Sequence, residues 1–164
     1  MYYLDVKKGG FYISKTYSFE LKKKVVQLYI IIDLFNREAA ANATVTKQDI
    51  DLVFRAVQSL KERGFAKRAI LHSDQGFQFT NPRYRANIEE LGLTKSMSSR
   101  VNCWDNACIE NFFSHLKTEL HMFRSLRTEQ EIHDIVDLYI FCYNKNRIQT
   151  KLNSMPEAYR LKVA

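Results

Sequence analysis

Ten consecutive residues, Val25 to Leu34 (VVQLYIIIDL), constrain the fold of this chain more than any other stretch. The run is rich in β-branched residues and bounded by polar ones, which is the pattern of a central strand covered on both faces. On its N-terminal side Phe11, Ile13, Tyr17, Phe19 and Leu21 fall on alternate positions, with Lys15 breaking the series, as in a half-buried strand. Lys22, Lys23 and Lys24 then mark a solvated turn, and a third strand is expected near Ala39 to Thr44.

The rest of the chain reads mainly as helices. Thr46 and Asp49 approximate a capping box ahead of Ile50, Val53, Phe54, Val57 and Leu60, which recur at helical spacing until Gly64. Arg68 to Ser73 (RAILHS) is a short strand ending at Asp74-Gln75-Gly76, where a loop begins. A short helix after Asn81-Pro82 and a strand near Leu93 to Ser98 follow. From Asn106 to Leu120 the residues Ile109, Phe112, Phe113, Leu116 and Leu120 form one apolar stripe, and Thr128 with Glu131 caps a last long helix through Tyr143. The order predicts a mixed α/β fold with helices over one central sheet.

Size and charge narrow the function. A chain of 164 residues with 46% hydrophobic and 13% aromatic residues fills one core and is not intrinsically disordered, so residues 1–164 are expected to form a single domain. The net charge of +7 favours a polyanionic partner. Three cysteines, Cys103, Cys108 and Cys142, lack framework spacing and fit a reducing cytosol. The apolar run from Leu28 to Ile32 is far short of the ~20 residues of a membrane span, and no signal peptide precedes it. The expectation is a cytoplasmic protein without a membrane partner.

Two carboxylates stand where chemistry is possible. Asp74 lies at a strand end beside a loop, and Glu110 shares one polar edge of the long helix with Asn106, Ser114 and Lys117. Carboxylates converging from a strand and a helix make an oxygen-rich site for magnesium or manganese, and two such ions activate a water or a 3′-hydroxyl in phosphodiester chemistry. On spacing alone the metal reading is weak, and a solvated or helix-pairing Glu110 is the favoured alternative. Cys103, Cys108, His115 and His121 sit too close together for the ~12-residue gap of a zinc finger, and the two cysteines read as small packed hydrophobes. Ser73 lacks the glycine elbow of a hydrolase nucleophile.

The surrounding residues carry a more specific signal. His72-Ser73-Asp74-Gln75-Gly76, then Asn102-Cys103-Trp104-Asp105-Asn106-Ala107 and Glu110-Asn111-Phe112-Phe113, resemble bacterial insertion-sequence transposases with a retroviral-integrase-like core. The 35 residues between Asp74 and Glu110 match the spacing of the second and third members of that family's Asp-Asp-Glu triad, and Lys117 matches its basic residue seven positions after the glutamate. Leu28 to Glu38, Tyr143-Asn144-Lys145-Asn146-Arg147 and Pro156-Glu157-Ala158-Tyr159 extend the resemblance towards both ends. It implies a ribonuclease H-like fold, with a central mixed five-stranded sheet and helices on its faces, and a C-terminal helical segment from about residue 128. It also implies Asp74 and Glu110 as catalytic metal ligands, use of two Mg2+ ions with Mn2+ as a substitute, and cleavage and strand transfer at mobile-element ends. Lys95, Arg100, Asn102, Asn106 and Lys117 would contact DNA, and His72 would border the site. The partners implied are element-end and target DNA, further copies of the chain assembled on DNA, and an upstream helix-turn-helix segment or protein, with association with the nucleoid when DNA is bound.

The first triad aspartate is where the chain departs from the family. In similar transposases it lies on the first strand, in a context that aligns here with Ser14-Lys15-Thr16-Tyr17, and no carboxylate occupies that stretch. Asp5 precedes it and Asp33 matches a different family residue, so neither takes the place by motif. The chain also reads as lacking the N-terminal helix-turn-helix segment of such transposases. Two readings follow: a catalytic core for transposition, or a catalytically silent DNA-binding remnant without the first triad aspartate.

Overall fold

A computed structural model describes residues 10–21, 24–45, 51–65, 68–98, 107–120 and 128–163, with side chains from residue 27 onward except at Val45 and Leu120. Its elements run β1 (Gly10–Leu21), β2 (Lys24–Asp33), β3 (Ala39–Val45), α1 (Asp51–Arg63), β4 (Ile70–Ser73), α2 (Phe77–Thr80), α3 (Pro82–Glu90), β5 (Thr94–Met97), α4 (Ala107–Leu120), α5 (Glu129–Lys145) and α6 (Pro156–Val163). The strands form one sheet in the order β3-β2-β1-β4-β5. β1 to β3 are antiparallel neighbours, whereas β1-β4 and β4-β5 are parallel, so the sheet is mixed. The parallel pairs need crossovers, which α1 and α3 supply.

The apolar run in β2 works as its composition predicts. Leu28, Ile30 and Ile32 pack with Ile109, Phe112 and Leu116 of α4 and Ile132 and Val136 of α5, while Tyr29 and Ile31 pack on the other face with Leu52, Val57 and Leu60 of α1. Strand alternation thus feeds two helix layers from one segment, and each fully buried aliphatic contributes roughly 1.5–3 kcal/mol. Phe112 closes the second layer, its ring meeting Tyr139 at 5.6 Å and Tyr143 at 4.8 Å edge to face.

Local signals set the helix ends. The Glu131 amide donates to Thr128 Oγ1 and the Thr128 amide to Glu131 Oε2, a complete capping box for α5. Asn81 Oδ1 accepts from the Arg83 amide at the start of α3, and Gly64, at φ 85°, closes α1. Some boundaries differ from expectation. Leu34 leaves β2 for a turn held by the Arg37 amide on the Asp33 carbonyl, β4 begins at Ile70 because Arg68 takes φ 62° in a turn, and Lys24 belongs to β2. α2 is too short to show a period, and α6 opens on Pro156, whose fixed φ suits a first helical position. The expected turn at Lys22 and Lys23 and the Thr46–Asp49 cap lie outside the described residues. No described helix is long and apolar enough to cross a membrane.

Candidate active site

The loop after β4 is built around its aspartate. Asp74 Oδ1 accepts from the Gly76 amide at 2.8 Å, and Gln75 Nε2 donates to the Ser98 carbonyl at 3.1 Å, tying the loop to the residue after β5. A Cβ at position 76 would meet the side-chain ends of Gln78 and Asp74 at 2.7 and 2.9 Å, so a larger residue there has to push those two side chains aside. Beneath the loop, Ser73 is fully buried and His72, expected at the DNA surface, is buried instead, with Nδ1 2.9 Å from Ser96 Oγ on β5. Lys95 is half-buried: its ammonium donates to the Phe79 carbonyl at 2.8 Å, and burial lowers its pKa.

Glu110 arrives from the other layer. α4 buries Ile109, Phe112, Phe113 and Leu116 against the sheet, which leaves Glu110, Ser114 and Lys117 exposed along one edge. Asn111 and His115 are exposed along the opposite edge. Arg100, Asn102 and Asn106 lie outside the described residues, as do Asp5, Cys103 and His121.

The register of β1 identifies what stands beside Asp74. Parallel pairing aligns Tyr12 with His72 and Ile13 with Ser73, so Ser14 is the next residue on β1 as Asp74 is on the neighbouring strand. The antiparallel register with β2 is interrupted just there, between Ser14 and Tyr17. Among the described residues no three His, Cys, Asp or Glu side chains converge on one point.

Sequence reasoning missed the polar hub that joins the two ends of the core. Glu38, 5% exposed, accepts through Oε2 from Asn36 Nδ2 at 2.8 Å, Arg63 Nη2 at 2.5 Å and Arg160 Nε at 2.9 Å. Asn144 pairs through both its amide atoms with the Ala39 backbone, Asn36 also donates to the Pro156 carbonyl, and Phe35 meets Tyr159 at 5.7 Å. The segments Asp33 to Glu38, Tyr143 to Arg147 and Pro156 to Tyr159, which carry the resemblance at its two ends, thus meet in space.

Comparison with known proteins agrees with this arrangement. Family models described as integrase core domain match residues 10–103 and 110–163. The chain is 33% identical over 151 residues to the putative transposase InsK for insertion sequence element IS150 of Escherichia coli (strain K12), covering 91% of this chain and 53% of that protein. It is 35% identical over 144 residues to an uncharacterized transposase-like protein of Haemophilus influenzae, covering 86% and 67%. The chain therefore spans about half the length of InsK. Among solved structures, the HTLV-2 integrase catalytic core domain in complex with magnesium (dimeric form) superposes with a TM-score of 0.68 at 11% identity, covering 92% of this chain and 94% of that one. The catalytic core domain of BIV integrase gives 0.64 at 18% identity, covering 93% and 95%. The fold is that of the ribonuclease H-like integrase cores.

Proposed function

This chain belongs to the insertion-sequence transposases with an integrase core, and from that premise we propose that it performs phosphodiester cleavage and strand transfer on DNA, with Asp74 and Glu110 as its catalytic carboxylates. The observation that carries the reading is the placement of Asp74, its carboxylate held by the Gly76 amide, in the loop at the end of a central parallel strand. Exposed Glu110, one turn from Ser114 and two from Lys117, supplies the second carboxylate, and Lys117 contacts the phosphate backbone. Water attacks in cleavage and a 3′-hydroxyl in strand transfer, and neither needs a covalent enzyme intermediate.

Element-end and target DNA are the proposed partners, bound by further copies of this chain and oriented by an upstream helix-turn-helix segment. Arg100, Asn102 and Asn106 join Lys117 at the DNA, while Lys95 and His72 support the cleft from behind through Phe79 and Ser96. Magnesium, with manganese as its substitute, is the proposed ion, and it needs an oxygen donor beyond the two carboxylates. The location that follows is the cytoplasm, at the nucleoid when DNA is bound.

The test is strand transfer with element-end DNA by the parent chain and its Glu110→Gln variant. Because Glu110 is exposed, the substitution should leave stability within about 0.5 kcal/mol while activity falls on the order of a hundredfold or more. Unchanged activity in the variant refutes the assignment. A parent that binds DNA without cutting it returns the silent DNA-binding alternative.

A further inference from the structure

Away from the Glu110 edge, between the turn after β2, the first turns of α4 and the segment that follows α5, lies a cavity of about 960 Å³. Arg37, Arg147, Lys151 and His115 line it together with the polar side chains of Asn111 and Gln149, and among the described residues no carboxylate lines it. Glu119 reaches Arg147 from outside the lining, so among the described residues the cations still exceed the nearby negative charge. The positive pole of the 14-residue α4 adds to them, since Ala107 and Cys108 of its first turn form part of the wall.

The backbone marks one of these cations as placed at a cost. Arg37 adopts φ 62°, a left-handed conformation that favours glycine or asparagine and costs an ordinary residue about 1–2 kcal/mol. From there its guanidinium crosses to α4 and donates to Cys108 Sγ at 2.6 Å. Arg147 is likewise fixed, its guanidinium 5.9 Å from the ring centres of both Tyr139 and Tyr143 and bonded to Glu119. Lys151 is exposed and has no ion pair among the described residues. Two preorganised guanidinium forks, a free ammonium and side-chain amide donors match the oxygens of a phosphate group.

We propose that this cavity is a phosphate-binding site, separate from the Asp74–Glu110 site and formed by Arg37, Arg147, Lys151 and His115. It lies along the Asn111–His115 edge of α4, so its occupancy does not depend on the function assigned to Glu110. The phosphate comes from a nucleic-acid backbone or from a free polyphosphate.

Pyrophosphate titrated into the full chain, with the His115 imidazole proton resonance as reporter, tests the site. Saturable movement of that resonance is expected. Arg37→Asn, which suits the left-handed backbone, and Lys151→Gln, a change at an exposed side chain, should each weaken binding about tenfold, while Lys61→Gln on α1 leaves it unchanged. Glu110→Gln should also leave it unchanged, which separates this site from the catalytic reading. A short DNA duplex that displaces pyrophosphate assigns the site to nucleic acid, and binding without displacement assigns it to a free polyphosphate. No saturable movement, or equal affinity in the parent, Arg37→Asn and Lys151→Gln proteins, overturns the proposal.

Discussion

Replacing Glu38 by glutamine measures how strongly the two ends of the core are joined. Glutamine keeps the shape and one acceptor oxygen but removes the charge, so the bonds from Arg63 and Arg160 become weaker ones. Removing one partner of a buried ion pair costs about 3–5 kcal/mol when the other is stranded in the interior. Neither arginine is stranded, because the side chains of Arg63 and Arg160 keep 22% and 40% exposure and water takes up their charge. The loss falls to that of two weakened charge-assisted hydrogen bonds, about 1–1.5 kcal/mol each and ~2–3 kcal/mol together. In a chain of 164 residues this lowers Tm by about 4–12 °C. Urea unfolding followed by circular dichroism reads it as a lower midpoint at unchanged slope. Arg160→Gln should cost less and should speed amide exchange in α6 before the sheet is affected. A Glu38→Gln protein within about 0.5 kcal/mol of the parent would refute the reasoning, since it would show the hub to be no stronger than a solvated surface contact.

Two further outcomes concern pH. Burial pushes the Asp33 carboxyl above its ordinary range, although the Phe35 amide and Arg63 oppose it. A raised folded-state pKa penalises the fold once the group ionises, so the penalty is absent at acid pH and complete above the folded pKa. Asp33→Asn, which keeps an acceptor for the Phe35 amide, should therefore stabilise the protein at neutral pH, with the gain vanishing in acid on denaturant titration. Burial likewise raises the phenols of Tyr84, Tyr139 and Tyr143 above 10.0. Stability should hold below that pH and fall above it, with phenolate absorbance from these three rings appearing only as the fold is lost. Their ionisation within an intact fold would count against the packing described.

Much of this architecture is legible in the residues because its signals are local. Val25 to Leu34 announces a strand with two buried faces, and Thr128 with Glu131 announces a helix start, since strand alternation and capping act over a few residues. The loop aspartate and the exposed helix edge carrying Glu110 were readable for the same reason. Glu38 was not, because its partners include a residue 122 positions away and a lone charged residue after a strand looks solvated. The cavity at Arg37 was hidden twice over, by a φ value that no residue type announces and by its assembly from three distant segments. The burial of His72 was not readable, because a strand-end histidine has the same sequence signature whether the layers above it leave it open or close over it.

The Arg63–Glu38–Arg160 hub also has a consequence for the order of folding. β1 to β3 and α1 leave the ribosome early and can pair by short-range contacts, yet the acceptor at Glu38 receives its last donor only when Arg160 has been synthesised. Until then the turn after β2 holds a buried charge answered by Arg63 and Asn36 alone. Docking of α6 therefore comes late, and a nascent chain stopped short of Arg160 has a β2–β3 turn still open to proteases.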